Sequence, residues 1–151
     1  MSTTVAIALG SNLGDRESLL GLARRRLRLV LSNPRESRSY ETEPVGLEGH
    51  QPMFLNAAVV GDTSLTPRVL LAVLNAIEHD AGRERPFPGA ARTLDLDLVL
   101  FGEEIIDEPG LTVPHPRFRE RRFVLEPLAE IAAELRDPVT GRTIGDLLRS
   151  G

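Results

Sequence analysis

The sequence contains no cysteine, no tryptophan and no lysine among its 151 residues. The absence of cysteine excludes disulfides, thiolate zinc sites and thiol nucleophiles. The absence of lysine excludes a phosphate-loop lysine, a protein-kinase strand lysine and a lysine Schiff base. All 18 basic residues are therefore arginines. Any phosphate that the chain binds has to be held by guanidinium groups, each of which can make a bidentate contact to two phosphate oxygens.

Aromatic residues are also scarce, at 4%, and no apolar run approaches the length of a membrane span. The N-terminus has no basic region followed by an apolar stretch, so nothing there predicts a secretory signal. The net charge of −4 argues against a general nucleic-acid-binding surface. We therefore expect a cytoplasmic protein with no membrane and no nucleic-acid partner. The length predicts a single domain covering residues 1–151, and we expect a monomer.

Hydrophobic patterning predicts the order strand, helix, strand, strand, helix, strand, followed by a mixed tail. Asp15 precedes the first predicted helix and is interpreted as its cap. Thr66 and Pro67 form a typical start for the second helix. The element order predicts an α+β fold, in which a ferredoxin-like antiparallel sheet is packed with helices as a three-layer α/β/α sandwich. The predicted strands cover 3–9, 37–42, 53–60, 94–101 and about 104–106, and the predicted helices cover 16–31, 66–81, 125–135 and 143–148.

Two aspartates interrupt the apolar strand at 94–101. Asp95 and Asp97 occupy alternate positions, so both side chains are expected on one face of the sheet. One interpretation is a half-exposed strand with an acidic polar face. The other is a site for hard cations, because paired carboxylates can hold one metal ion or bridge two ions about 3.5–4 Å apart.

Arginines lie on both sides of this strand in the sequence. Arg83, Arg85 and Arg92 precede it, and an arginine-rich segment over 117–122 follows it. These side chains are either solvated surface charges or ligands for a polyphosphate bound through a cation. Asn56, amid apolar neighbours, can bond nearby backbone or read a ligand. His115, considered alone, is more typical of a structural histidine.

Several motifs occur in an order that resembles the 6-hydroxymethyl-7,8-dihydropterin pyrophosphokinase family of folate biosynthesis. The resemblance covers about residues 5–148. It implies transfer of pyrophosphate from ATP to the hydroxymethyl group of a pterin, with release of AMP, and it implies two magnesium ions. The motifs are A-L-G-S-N-L-G-D-R, F-L-N-A-A-V, G-R-x-R, R-T-L-D-L-D, L-T-V-P-H-P and P-L-A-E-I-A-A-E-L.

The resemblance also implies roles for individual residues. Asp95 and Asp97 are expected to hold both magnesium ions, and Asp95 also to contact the substrate. Arg83 and Arg92 are expected to act in catalysis. The residues implied around the nucleotide are Glu78, Arg83, Arg85, Arg92, Leu98, Thr112, His115 and Arg121. Those implied around the pterin are Thr42, Pro44, Val45, Phe54, Asn56 and Phe123, with two aromatic rings enclosing the bicycle and Asn56 reading its polar edge.

The segment over 83–91 departs from the family pattern. Pro88, Gly89, Ala90 and Ala91 stand where many members have arginine and tryptophan followed by glycine-proline. We expect the segment from Arg83 to Arg92 to be a mobile lid that lacks the usual covering side chain. Pro116 also stands where an aromatic residue often follows the histidine.

Two other classes of protein remain as alternatives. An RNA-binding module on the same core would need exposed aromatic residues on the sheet and a basic face. A metal-dependent nuclease or phosphatase would also use paired aspartates, and only the pterin-side motifs argue against it.

Overall fold

The structure is a computed structural model that describes residues 2–12, 15–42, 54–82 and 94–150. Within these ranges the chain forms seven strands, four helices and one 3-10 turn at Phe118–Glu120. The elements are β1 (Thr3–Ser11), α1 (Arg16–Arg28), β2 (Ser32–Glu36), β3 (Tyr40–Thr42), β4 (Phe54–Thr63), α2 (Pro67–Gly82), β5 (Asp95–Phe101), β6 (Ile106–Glu108), β7 (Leu111–Val113), α3 (Arg122–Ala132) and α4 (Ile144–Ser150).

The main sheet has the strand order β2-β4-β1-β5, and β3 also pairs with β4. All these pairings are antiparallel, and β1 lies between β4 and β5. The βαββαβ order together with this strand order gives the ferredoxin-like arrangement. A separate hairpin of β6 and β7 follows β5. The prediction of an α+β fold with an antiparallel sheet and packed helices is confirmed.

Helices cover both faces of the sheet and create two buried cores. The first core joins the sheet to α1 and α2, with Leu20, Leu27 and Leu74 fully buried. The second joins the opposite face to α3 and α4, with Leu128 and Ile144 fully buried. Each helix presents an apolar stripe to the sheet, so burial rather than intrinsic propensity holds the layers together.

The predicted helix starts have the expected capping contacts. Asp15 Oδ1 accepts a hydrogen bond from the Ser18 backbone N–H at 3.2 Å, which confirms Asp15 as the cap of α1. The Thr66 hydroxyl likewise accepts from the Val69 N–H at 3.2 Å, just before α2. Both contacts satisfy N–H groups that have no partner within the helix.

Several predicted boundaries are wrong. Strand β2 was not predicted, because Asn33-Pro34 is typical of a chain break. Proline is tolerated there because β2 is an edge strand, and Asn33 adopts a φ of 50°. Helix α1 ends at Arg28, short of residue 31, and α3 begins at Arg122 rather than residue 125. The short strand expected near 104–106 lies at Ile106–Glu108.

Membrane insertion of a helix finds no support in the described ranges. None of the helices there combines the length and the apolar character that crossing a bilayer requires.

Candidate active site

The two aspartates of β5 lie on the sheet face that carries α3. In the pairing of β5 with β1, Asp95 lies opposite Gly10 and Asp97 lies opposite Ala8. Residues paired in this way share a face of the sheet. Both carboxylates therefore point to one side, over the two smallest side chains of β1.

The same face continues across β1 to β4 and β3. Gly10 lies opposite Asn56 on β4, so it separates Asn56 from Asp95. Thr42 on β3 lies opposite Phe54. A Cβ added at Gly10 would lie 3.4 Å from Asn56 Oδ1, so the absence of a side chain keeps the amide oxygen accessible. The register of the three pairings brings the aspartates, the asparagine and Phe54 around one depression.

This depression is a cavity of about 570 Å³, which is large enough for a small organic ligand. Its floor is the end of β1, and its far wall is the 3-10 turn and the start of α3. Seven of the residues predicted for the site line it: Thr42, Phe54, Asn56, Asp95, Asp97, Arg121 and Phe123.

The asparagine is held by a side chain rather than by backbone. Asn56 is 5% exposed, and its Nδ2 donates to the Thr42 hydroxyl at 2.6 Å. The bond fixes which edge of the amide faces Gly10 and the cavity. A buried amide oriented in this way is suited to reading the polar edge of a ligand, because its rotation is already restricted.

The arginine-rich segment divides into two groups. Arg117 and Arg121 line the cavity, and the Arg121 guanidinium lies 5.7 Å from the centre of the Phe123 ring. Arg119 instead pairs with the buried carboxylate of Asp137, and Arg122 pairs with Glu126 along α3. The segment therefore supplies the cavity with two cations, and its other two arginines hold the surrounding structure.

His115 is not among the residues that line the cavity, but it lies close enough to Asp97 for the charge of that aspartate to affect its pKa. Its Nδ1 accepts a hydrogen bond from the Arg117 backbone N–H at 3.2 Å, so the proton of the neutral ring is on Nε2. Burial lowers the pKa of His115 below 6.5, against the opposing effect of Asp97; Arg121 and Arg117 lower it further. A neutral imidazole with a donating Nε2–H is the form expected at pH 7.

Three other predicted residues lie away from the cavity. Glu78 on α2 accepts the Leu96 backbone N–H at 2.7 Å, on the outer edge of β5 between the two aspartates. Leu98 is 6% exposed and packs in the α1/α2 core. Thr112 is exposed on β7 opposite Asp107. The predicted Pro44, Val45, Arg83, Arg85 and Arg92, and the predicted lid over 83–92, lie outside the described residues.

Sequence reasoning assigned no individual role to six residues that line the cavity, although Arg117 lies in the arginine-rich segment that it singled out. The run of small residues at alternate positions of β1 was an available signal for the first of them, because small side chains leave room above a sheet. The position of the turn residues depends on how residues 114–121 fold back on β5, which no local pattern encodes. The six residues are Ala8, Leu9, Gly10, Arg117, Glu120 and Val124.

The carboxylates fit a magnesium site that is shared with a ligand. Among the residues that the structure describes, no group of three or more histidine, aspartate or glutamate side chains could hold a metal ion. Asp95 and Asp97 thus offer carboxylate oxygens but no complete protein cage. Magnesium is commonly held in this way, by one or two carboxylates together with substrate phosphates and water.

Comparison with known proteins agrees with these features. Residues 6–133 match the sequence model of the 7,8-dihydro-6-hydroxymethylpterin-pyrophosphokinase (HPPK) family. A Bacillus subtilis (strain 168) 2-amino-4-hydroxy-6-hydroxymethyldihydropteridine pyrophosphokinase is 45% identical over 142 residues, covering 93% of this chain and 84% of its own length. A Pseudomonas aeruginosa protein of the same name is 44% identical over 154 residues, covering 98% and 91%.

A solved structure gives the same fold at much lower identity. The crystal structure of Plasmodium falciparum HPPK-DHPS wild type superposes with a TM-score of 0.79 at 15% identity. The match covers 99% of this chain but only 45% of that one. At this identity the match supports the fold alone.

An α+β sandwich whose cavity combines paired carboxylates, arginines and two aromatic rings is the architecture expected of a small-molecule transferase. The family match and the two bacterial relatives identify the family within that class. The chain belongs to the 7,8-dihydro-6-hydroxymethylpterin-pyrophosphokinase family.

Proposed function

We propose that this chain transfers pyrophosphate from ATP to the hydroxymethyl group of 6-hydroxymethyl-7,8-dihydropterin, giving the pterin diphosphate and AMP in folate biosynthesis. The observation that carries the proposal is the cavity itself. One space of about 570 Å³ adjoins Asp95 and Asp97 on one side and Thr42, Asn56 and Phe123 on the other. A pterin and the reacting end of a nucleotide can therefore meet there.

The pterin side of the cavity is built for a flat, polar bicycle. Phe54 and Phe123 arrive from β4 and α3 and line the same space, so a pterin can stack against aromatic rings. Asn56, oriented by Thr42, reads its amide-like edge. We assign Pro44 and Val45 to the same pocket from the family resemblance. Because these protein side chains are already oriented before binding, little entropy is lost in ordering them when the pterin binds.

The metal side requires the two aspartates. Asp95 and Asp97 would hold two magnesium ions, completed by phosphate oxygens and water. Bound magnesium would supply Lewis-acid polarisation of the phosphate and neutralise its charge. The two carboxylates fix the place of that charge relative to the pterin hydroxyl, because both are anchored in β5 beside the central strand.

The phosphate oxygens are contacted by the basic side chains. Arg121 offers a guanidinium next to the aromatic wall, and the Nε2–H of neutral His115 offers a donor without a full charge. We assign Arg83, Arg85 and Arg92 to the triphosphate, with Arg83 and Arg92 acting in catalysis, from the resemblance. Glu78, Leu98 and Thr112 are assigned to the nucleotide side on the same ground.

The reaction is a displacement at the β-phosphorus. The pterin hydroxyl oxygen bonds to this phosphorus, and the bond to the oxygen that bridges the α- and β-phosphates breaks. AMP leaves with the electron pair, and the hydroxyl proton passes to solvent. The arginines hold the β- and γ-phosphates as the unit that is transferred, so the protein supplies position and charge rather than a covalent nucleophile.

The released nucleotide tests this function. The protein is incubated with ATP, magnesium and the reduced pterin, and nucleotides are separated by chromatography. We expect one AMP for each pterin consumed, and no AMP when pterin or magnesium is omitted. ADP as the stoichiometric product would refute the assignment. Release of phosphate that does not depend on the pterin would instead indicate the phosphatase or nuclease alternative.

A further inference from the structure

The connection between α3 and α4 contains a fully buried carboxylate that belongs to none of the motifs. Asp137 is 0% exposed and lies in a tight turn, where its backbone carbonyl accepts the Gly141 N–H at 2.8 Å. Its carboxylate accepts the Val139 N–H at 3.0 Å and the Thr140 hydroxyl at 2.7 Å. A buried charge with so many donors is a costly feature that the fold keeps fully satisfied.

The remaining donors come from the wall of the cavity. Arg119 donates through Nε to Asp137 Oδ2 at 2.5 Å and through a terminal nitrogen to Oδ1 at 2.9 Å. This bidentate geometry restrains both the position and the orientation of the guanidinium. Burial alone raises the pKa of Asp137, but the bonds from Arg119, Thr140 and Val139 hold it below 3.8, so the carboxylate stays ionised.

Arg119 is the central part of the 3-10 turn that carries the cavity arginines. The turn is Phe118–Glu120, and Arg117 and Arg121 flank it directly. Phe118 is fully buried beneath the turn, and the Arg119 guanidinium lies 4.8 Å from the centre of its ring. The Arg121 N–H donates to the Phe118 carbonyl at 3.2 Å. Restraining Arg119 therefore restrains the backbone of both cavity arginines.

We propose that Arg119 and Asp137 form a positioning pair that fixes the 3-10 turn and thereby aims Arg117 and Arg121 at the polyphosphate of the nucleotide. The pair touches no substrate and acts through its two neighbours. This inference rests on the proposed function, because it takes a nucleotide as the ligand. The pterin contacts at Thr42 and Asn56 belong to β3 and β4, away from the pair, whereas Phe123 follows the turn at the start of α3 and lies beside Arg121.

The test compares Arg119→Met with Arg28→Met. Arg28 makes the same bidentate contact to Glu36, at 2.6 and 2.7 Å, but this contact joins α1 to β2, outside the cavity. For Arg119→Met we expect kcat/KM for MgATP to fall about 10- to 100-fold, the size of effect that follows a small misplacement of a binding group. The KM for the pterin should change much less, because only Phe123 among the described pterin contacts adjoins the turn. Arg28→Met should leave both constants at the wild-type level.

Two further variants separate positioning from stability. Asp137→Asn should reproduce the kinetic loss, and the double variant should be no worse than either single one, because the pair acts as a unit. Arg119→Lys keeps the charge without the bidentate contact, so its kcat/KM for MgATP should lie between those of the wild type and Arg119→Met. Thermal unfolding of each variant ensures that the assays use folded protein. If Asp137→Asn does not fold, the Arg119 variants provide the same comparison.

Calorimetry provides a readout that is separate from turnover. Binding of a non-hydrolysable ATP analogue with magnesium should weaken in Arg119→Met and stay unchanged in Arg28→Met. Wild-type nucleotide affinity in Arg119→Met, with only the unfolding temperature lowered, would overturn the proposal, as would equal losses for both substrates. If wild-type protein binds the analogue but forms no AMP, the proposed function fails while the binding comparison still decides the role of the pair.

Discussion

The two faces of β1 differ sharply in the size of their side chains. Val5, Ile7 and Leu9 point to α1 and α2 and are almost completely buried. Ala6, Ala8 and Gly10 point to the opposite face. Ala6 is fully buried under α3, Ala8 is 8% exposed, and Gly10 is half-buried at the cavity. One strand therefore packs large side chains against one core, while its small residues on the other face belong to a second core that opens into the site at Ala8 and Gly10.

This difference shows how the chain separates stability from binding. Large aliphatic residues on the first face remove apolar surface from water, which is the main source of folding free energy. Small residues on the second face add little burial but leave space between the sheet and α3. The same register that pairs Gly10 with Asn56 and Asp95 then places the polar groups around that space.

The largest expected effect comes from the metal side of the open face. Asp97→Ala should reduce turnover roughly 10³-fold or more, because metal-held charge is lost in the transition state. The fold should survive, since loss of repulsion between neighbouring carboxylates offsets lost contacts. Asp62→Ala is the matched control, because Asp62 lies at the far end of β4 and accepts from the Thr4 hydroxyl at 2.8 Å. Near-normal magnesium-dependent turnover in Asp97→Ala would contradict the assignment.

A substitution on the packed face should lower the stability of the protein. Ile7→Ala leaves a cavity between the sheet and α1/α2, and we expect a loss of about 2–5 kcal/mol in the free energy of unfolding. Chemical denaturation measures this value. At a temperature where the variant is folded, its KM for each substrate should match that of the wild type. A raised KM without a loss of stability would show that the two faces are not separate.

The aromatic wall should affect one substrate only. Phe123→Ala should weaken pterin binding by about 1–3 kcal/mol, the size of a stacking contact between a base and an aromatic ring. Binding of the ATP analogue should stay close to the wild-type value and serves as the internal control. Calorimetry that finds equal losses for both ligands would count against the pterin assignment.

The smallest effect should have opposite signs in stability and binding. Gly10→Ala adds a methyl group 3.4 Å from Asn56 Oδ1, at ordinary contact distance, so the free protein should accept it. Because alanine restricts the unfolded chain, we expect stability to rise by about 0.4–1 kcal/mol. Pterin affinity should fall, since the methyl group occupies the cavity floor. A variant that loses stability and retains affinity would place the pterin elsewhere.

The central strands and the main helices could be predicted because their patterns are local. β4 and β5 alternate or run apolar over many residues, and α2 begins at a threonine-proline pair. β2 could not be predicted, because Ser32–Glu36 has no apolar pattern. Its strand conformation comes from pairing with β4, where Arg35 lies opposite Val60 and Glu36 opposite Val59. Tertiary pairing there outweighs local propensity.

The residues of the site also fall into those that the sequence predicts and those that only the fold determines. The shared face of Asp95 and Asp97 follows from the two-residue period of a strand, so the sequence predicts it. The roles of the individual arginines over 117–122 do not follow from spacing. Arg119 is taken by Asp137, which lies 18 residues further along the chain. Only the folded position of the α3–α4 connection decides that Arg121 faces the cavity while Arg119 does not.

The exclusive use of guanidinium in ion pairs also affects behaviour at high pH. Each side-chain ion pair among the described residues joins an arginine to a carboxylate, as Arg26 does with Asp80 and Arg28 with Glu36. A lysine partner would lose its proton in strongly alkaline buffer, whereas the guanidinium group of arginine keeps its charge there. The only tyrosine, Tyr40, donates to Glu130, and burial raises its pKa above 10. Alkaline buffer that would dissolve the ion pairs of a lysine-rich protein thus leaves this network charged and intact.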